Sequence, residues 1–146
     1  MPIDQRTKLP SINKTKLVAL AFALINGMFA VLASALASHA LAQKAPSAQL
    51  AFDIAARLHL IHSVLMLVFS LWWLRMPRFS LGLACVLLGL GIMLFSMTIY
   101  ARVLIGDSFV SRLTPLGGLL LMAGWLSPLP VVIDLWRQTS KSVLRS

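Results

Sequence analysis

Four apolar runs, each close to the length of a bilayer's hydrocarbon core, constrain this chain more than any other feature of it. A helix crossing about 30 Å of hydrocarbon needs roughly 20 residues, with a working range of about 17–25. The expected spans are 17–37, 58–74, 81–100 and 116–133. Asn26 is the one strongly polar residue of the first, and His59 and His62 interrupt the start of the second. The third carries no charge. Pro128 and Pro130 fall near the end of the fourth, where missing backbone donors should loosen the last turns.

Composition supports a lipid environment. Of 146 residues, 59% are apolar and 12% charged, against about 25% charged in an ordinary soluble domain. The expected organisation is a basic segment 1–16, a four-helix membrane domain 17–135 and a basic tail 136–146. A cleaved secretory signal is the rival reading of the first run, but that run is longer than the roughly 7–15 apolar residues of a signal core. Glutamate is absent and the acids are Asp4, Asp53, Asp107 and Asp134, so the formal net charge is +9. The basic residues lie between apolar runs and do not form one patch with interleaved aromatics, which argues against a nucleic-acid partner. The lone Cys85 excludes an intramolecular disulfide and a multi-cysteine metal site.

The same charges set an expected orientation. Arg6, Lys8, Lys14, Lys16, Arg75, Arg78, Arg137, Lys141 and Arg145 fall on one side, and Lys44, Arg57, Arg102 and Arg112 on the other. The positive-inside rule puts both termini in the cytoplasm. Trp72, Trp73 and Trp136 then sit at the cytoplasmic boundary and Tyr100 at the outer one, where amphipathic rings anchor.

Small residues recur every seven positions: Gly82, Gly89 and Ser96 in the third run, Ala23, Ala30 and Ala37 in the first, and Gly117 and Gly124 in the fourth. Gly27 and Ser34 run beside the first-span seam. Between helices in lipid, close packing and hydrogen bonds replace the hydrophobic attraction, so such seams predict an all-α, up-down-up-down four-helix bundle. Asn26 is expected to bond across to another helix. Ser34, Ser63, Ser70, Ser96 and Thr98 are expected to bond back to their own helices. Thr114 and Pro115 read as the cap and first residue of the last helix.

The one polar constellation comprises Ser34, Ser38, His39, Asp53, Arg57, His59 and His62, near one boundary of the first two spans. Ionisable groups at membrane depth are costly and read as functional hypotheses with a named partner. A structural reading makes His39, Arg57 and His62 a latch between the first two helices. A metal or haem reading needs converging imidazoles, and the HxxH of His59 and His62 has no Glu, Cys or CxxCH beside it. A proton path would want acids inside the spans, and every Asp is placed in a loop or flank. No nucleophile elbow, P-loop or HExxH pattern occurs.

The run Ala33-Ser34-Ala35-Leu36-Ala37-Ser38-His39-Ala40-Leu41 resembles the "GAFGAHAL" end of the first helix in the YgdD-like small inner-membrane proteins, the family called domain of unknown function 423. Arg57 to His62 resembles its "RYQ-x-YH". Leu94-Phe95-Ser96 with Ile99-Tyr100 resembles its "LFSGSLY". Thr114-Pro115-Leu116-Gly117-Gly118 resembles "TPIGG", and Ala123-Gly124-Trp125 resembles "AGW". Ala33, Ala37, Ser38, Leu58, His59 and Ile61 depart from those patterns, so HxxH is a local substitution. The resemblance implies a four-helix inner-membrane protein without an assigned reaction, catalytic residue, cofactor or metal. It carries over His39, Arg57, His62, Ser96, Thr114, Pro115, Gly117, Gly118 and Trp125 as motif positions.

Three functions compete at this stage. A non-enzymatic accessory partner of a larger membrane complex fits the small size and short loops. An oligomeric permeation unit is the second, and a histidine-ligated redox protein the third. Besides the lipid bilayer, a larger complex or a second copy is the expected partner.

Overall fold

A computed structural model describes residues 13–39, 41–106 and 110–143. Asp4, Arg6, Lys8, Ala40, Asp107 and Arg145, used above, lie outside them. Among the described residues every regular element is helical and none is a strand: α1 (Lys14–His39), α2 (Pro46–Arg75), α3 (Phe79–Ile92), a π-helical turn (Met93–Met97), α4 (Thr98–Ile105), a 3₁₀ turn (Val110–Leu113), α5 (Thr114–Leu126) and α6 (Leu129–Val143). Four stretches are long and apolar enough to cross a membrane: Lys14–His39, Pro46–Arg75, Phe79–Ile105 and Thr114–Lys141. In hydrocarbon every backbone donor and acceptor must be met internally, which is why such runs become helices.

The helix ends have local causes. Asn13 precedes α1, and its side chain accepts a hydrogen bond from the backbone N–H of Thr15 at 3.1 Å. Pro77 stops α2 by disfavouring helical backbone at Met76, which is extended. Gly106 ends α4 in the left-handed region at φ +77°, and its N–H bonds the Arg102 carbonyl at 3.1 Å. The last span breaks between α5 and α6, where Pro128 lacks a donor and its carbonyl accepts from Val131 at 2.9 Å.

The second helix begins twelve residues before the expected 58. Its first turns carry Asp53 and Arg57, which broke the apolar run, yet these two pair on the exposed face at 2.9 Å. The opposite face buries Phe52, Ala55 and Ala56 completely or nearly so. The 30 residues of α2 span about 45 Å, longer than the hydrocarbon is thick. Asp53 therefore sits on a helix, not in a loop. The third span runs past 100 to Ile105, and the tail expected from 136 continues as α6 to Val143.

The helices pack as an open row. α1 lies along α2, α2 along α3, and α3 along α5, while α1 only grazes α3. Consequently 17% of the apolar window of α1 is buried, against 50% for the third span. One core cluster joins Ala23, Met66, Phe69, Ala84, Cys85, Leu88, Ile92 and Leu121. A second joins Leu41, Phe52, Ala55, Ala56, Tyr100 and Val103. The small-residue seams lie in these contacts: Ala23 and Ala30 are buried, Gly89 faces the Phe22 ring, and Gly124 faces Leu88. Gly117 makes the closest approach of all. A Cβ built there would stand 2.5 Å from the Leu94 carbonyl carbon and closer still to the Phe95 nitrogen.

Candidate functional site

The polar interior is a relay across three spans. Asn26 on α1, His59 on α2 and Tyr100 on α4 are 2%, 0% and 9% exposed. The Asn26 amide donates to the Phe22 carbonyl of its own helix at 2.8 Å. That fixes which end of the amide is NH₂, so Asn26 Oδ1 faces His59 Nε2 at 3.2 Å as an acceptor. His59 Nε2 must therefore carry the hydrogen. In a neutral imidazole Nδ1 is then the acceptor, and the Tyr100 hydroxyl 3.3 Å away donates to it. The direction runs Tyr100 to His59 to Asn26 to the Phe22 carbonyl. Phe52 packs against the Tyr100 ring in a tilted arrangement with centroids 4.5 Å apart.

Two further bonds support this node. Ser63 donates to the His59 carbonyl at 2.8 Å within α2. Ser96 leaves its own helix and donates to the Ala55 carbonyl at 3.2 Å, one turn before His59. Each such bond in lipid contributes about 0.6 kcal/mol on average and up to about 1.7. Among the described residues, no fully buried side-chain nitrogen or oxygen lacks a partner.

A second junction sits beside the π-helical turn. Thr98 Oγ1 donates within hydrogen-bond distance of the Leu94 and Phe95 carbonyls, at 2.8 and 2.9 Å, and shares a 2.8 Å hydroxyl contact with Thr114. Gly117 seats the α5 backbone on that same stretch, and Gly118 faces the Phe95 ring at 3.7 Å. His62 meets Trp125 edge-on, with ring centroids 6.3 Å apart. The segments that read as separate motifs in sequence are thus in contact with one another.

Several expected placements change. The His39–Arg57–His62 latch is not formed. Arg57, its side chain 74% exposed, pairs with Asp53; His62 Nδ1 donates to the Leu58 carbonyl of its own helix; His39 is exposed at the end of α1. His59, expected near the boundary of the second span, is fully buried, because α2 starts so much earlier. Tyr100 is not a boundary ring, since its helix continues another turn and it points inward. Thr114 is not the cap of α5: Leu113 precedes the helix in helical geometry, and the Thr114 hydroxyl is spent on Thr98. Ser34 and Ser38 bond back to Ala30 and Ser34, while Ser96 crosses to α2. The relay itself was missed as a unit, although Asn26, His59 and Tyr100 were each singled out. For ligation, His59 has both ring nitrogens engaged within the protein and His62 has Nδ1 engaged. Among the described residues no three His, Cys, Asp or Glu side chains group as a metal set.

The sequence has relatives. It is 30% identical over 105 residues to a protein of Haemophilus influenzae described as a UPF0382 membrane protein, covering 70% of this chain and 83% of that one. No solved structure matches. Residues 33–118, which hold α2, α3, α4 and the α5 junction, match the family described as protein of unknown function DUF423. The chain is therefore a membrane protein of the DUF423 family.

Proposed function

We propose that this protein is a non-enzymatic accessory component of a larger complex in a bacterial inner membrane, threaded up-down-up-down with both termini in the cytoplasm. The observation that carries the reading is the closure of the polar interior. Tyr100, His59 and Asn26 satisfy one another, and the chain of bonds ends on a backbone carbonyl. Each member of that set has its partner within it or in its own helix, and none is more than 9% exposed. Recognition then falls to the lateral faces. α1 is the most open of the spans, with Leu24, Ile25, Met28, Phe29, Val31 and Leu32 each more than half exposed. The nine-to-four charge asymmetry supports the orientation, and alternating helix direction is supported by contacts that run in opposite sequence order: Asn26–His59 with Lys16–Trp73, Ser70–Cys85 with Ala55–Ser96, and Gly124–Leu88 with Gly117–Leu94.

The test is mass spectrometry of what co-purifies with the full chain, tagged, expressed at native level and extracted in mild detergent. A photo-crosslinker at Phe29 or Leu32 should capture the same membrane protein that co-purifies in constant ratio. Recovery of the chain alone, with crosslinks to lipid only, would overturn the accessory role.

A further inference from the structure

α1 and α3 both pack beside α2 with little contact between them, and a groove of about 310 Å³ lies between them. Its walls run from Thr15, Ala19 and Phe22 on α1 to Cys85 and Gly89 on α3 and Met93 of the π-helical turn, with Met66 and Trp73 of α2 as the floor. The lining is apolar and narrow because Gly89 carries no side chain toward Phe22, which a Cβ would meet at 3.1 Å. From Gly82 to Met93 the α3 wall covers eleven residue steps, about 16 Å at 1.5 Å per residue. That matches one leaflet of hydrocarbon, about half of 30 Å. The groove ends in mid-span, at the first residue of the π-helical turn.

Its mouth is cationic. Lys14, Lys16 and Arg75 stand at this end, where α1 starts and α2 stops. Lys16 Nζ lies 5.8 Å from the ring centroid of Trp73, itself part of the lining. Among the described residues the acid of this end is Asp134, 3.6 Å from Arg78. Lys14, Lys16 and Arg75 have no acid partner among the described residues. A slot one leaflet deep and apolar along its length, with cations at its rim that no described acid pairs, matches an anionic phospholipid: acyl chain inside, phosphate at the rim.

We propose that this groove is a specific site for one anionic phospholipid, with its acyl chain between α1 and α3 and its headgroup held by Lys14 and Lys16. The site does not depend on the accessory role, and a lipid bound there would also fix the splay between α1 and α3. The test is native mass spectrometry of the full chain in an uncharged mild detergent, offered phosphatidylglycerol or phosphatidylcholine. One phosphatidylglycerol should stay bound, in clear preference to phosphatidylcholine. Lys14→Gln with Lys16→Gln should weaken retention about fivefold for each charge lost, without touching the core. Ala19→Phe, which fills the groove, should abolish retention, while Leu119→Phe on exposed α5 surface should leave it unchanged. Equal retention of both lipids, or phosphatidylglycerol held as tightly by the double lysine variant, would overturn the proposal. So would a second copy of the chain occupying the groove, seen as a dimer that Ala19→Phe dissociates. If Ala19→Phe does not fold, the lysine variants decide the matter alone.

Discussion

Replacing His59 by Leu tests the relay most directly, because two partners lose their bond at once. The wild-type node holds an Nε2–H to Asn26 Oδ1 bond of 3.2 Å and a Tyr100 hydroxyl to Nδ1 bond of 3.3 Å. Two interhelical bonds in lipid contribute roughly 1–3 kcal/mol together. Stranding a buried hydroxyl raises the loss, since an unmet buried polar group costs about 1–3 kcal/mol by itself. Some of that is the same energy counted twice, so the expected cost of His59→Leu is about 2–3 kcal/mol. Tyr100→Phe strands only the Nδ1 lone pair and should cost about 1 kcal/mol. The distinguishing case is the triple variant Asn26→Leu, His59→Leu, Tyr100→Phe. It removes every member together, leaves nothing unmet, and should be less destabilised than His59→Leu alone. The assay is unfolding from mild-detergent micelles by added dodecyl sulfate, followed by tryptophan fluorescence, with all variants compared at one micelle composition. A triple variant at least as unstable as the single one would refute the relay as a coupled unit, and so would a His59→Leu cost below about 0.5 kcal/mol.

Three contrasts extend the reasoning. Gly117→Ala should cost about 3 kcal/mol, the upper part of the overpacking range, because its Cβ meets backbone atoms of Leu94 and Phe95. Gly118→Ala, facing only the Phe95 ring at 3.7 Å, should stay within about 0.5 kcal/mol in the same unfolding assay. Ser96→Ala loses a bond between helices and should cost about 0.5–1.5 kcal/mol. Ser34→Ala loses only a bond back to its own helix and should be close to neutral, as paired melts would show. Arg57→Ala breaks an ion pair whose arginine side chain is 74% exposed and should cost less than about 1 kcal/mol. A large drop in protein level for Arg57→Ala would give that residue a role outside the folded monomer.

The spans were legible because hydropathy and proline placement act locally. Pro77 stops a helix whatever lies around it, and the breaks at Pro128 and Gly106 have the same local character. The first turns of α2 were not legible, because Asp53 and Arg57 end an apolar run without ending a helix whose other face buries Phe52 and Ala55. That error propagated: with the start placed at 58, His59 looked like a boundary residue. Tyr100 misled for the mirrored reason, since the apolar run stops there while the helix goes on to Ile105. The seven-residue spacing did mark contact faces, but which faces meet depends on helix order in space. The order is an open row, and nothing in the spacing distinguishes that from a closed bundle. The π-helical turn has no proline or glycine to announce it.

An open row needs no special explanation in lipid, where apolar side chains lose little by facing acyl chains and helices pack only where van der Waals fit and hydrogen bonds favour it. In this protein those interactions are concentrated unevenly. The relay and the Ser96–Ala55 bond tie α1, α2 and the third span together around mid-span, and Gly117 with Thr114 seats α5 on the same stretch. At the end carrying Lys14, Lys16 and Arg75, α1 and α3 share no comparable polar bond among the described residues, and the groove lies there. The same distribution explains both the polar node and the cleft: helices pinned together around mid-span and spaced by a Phe22–Gly89 contact can diverge toward the end beyond it. A ligand at the divergent end would then be stabilised by filling the cleft without rearranging the node. Its binding should leave the Tyr100–His59–Asn26 bonds, and the unfolding cost of His59→Leu, unchanged.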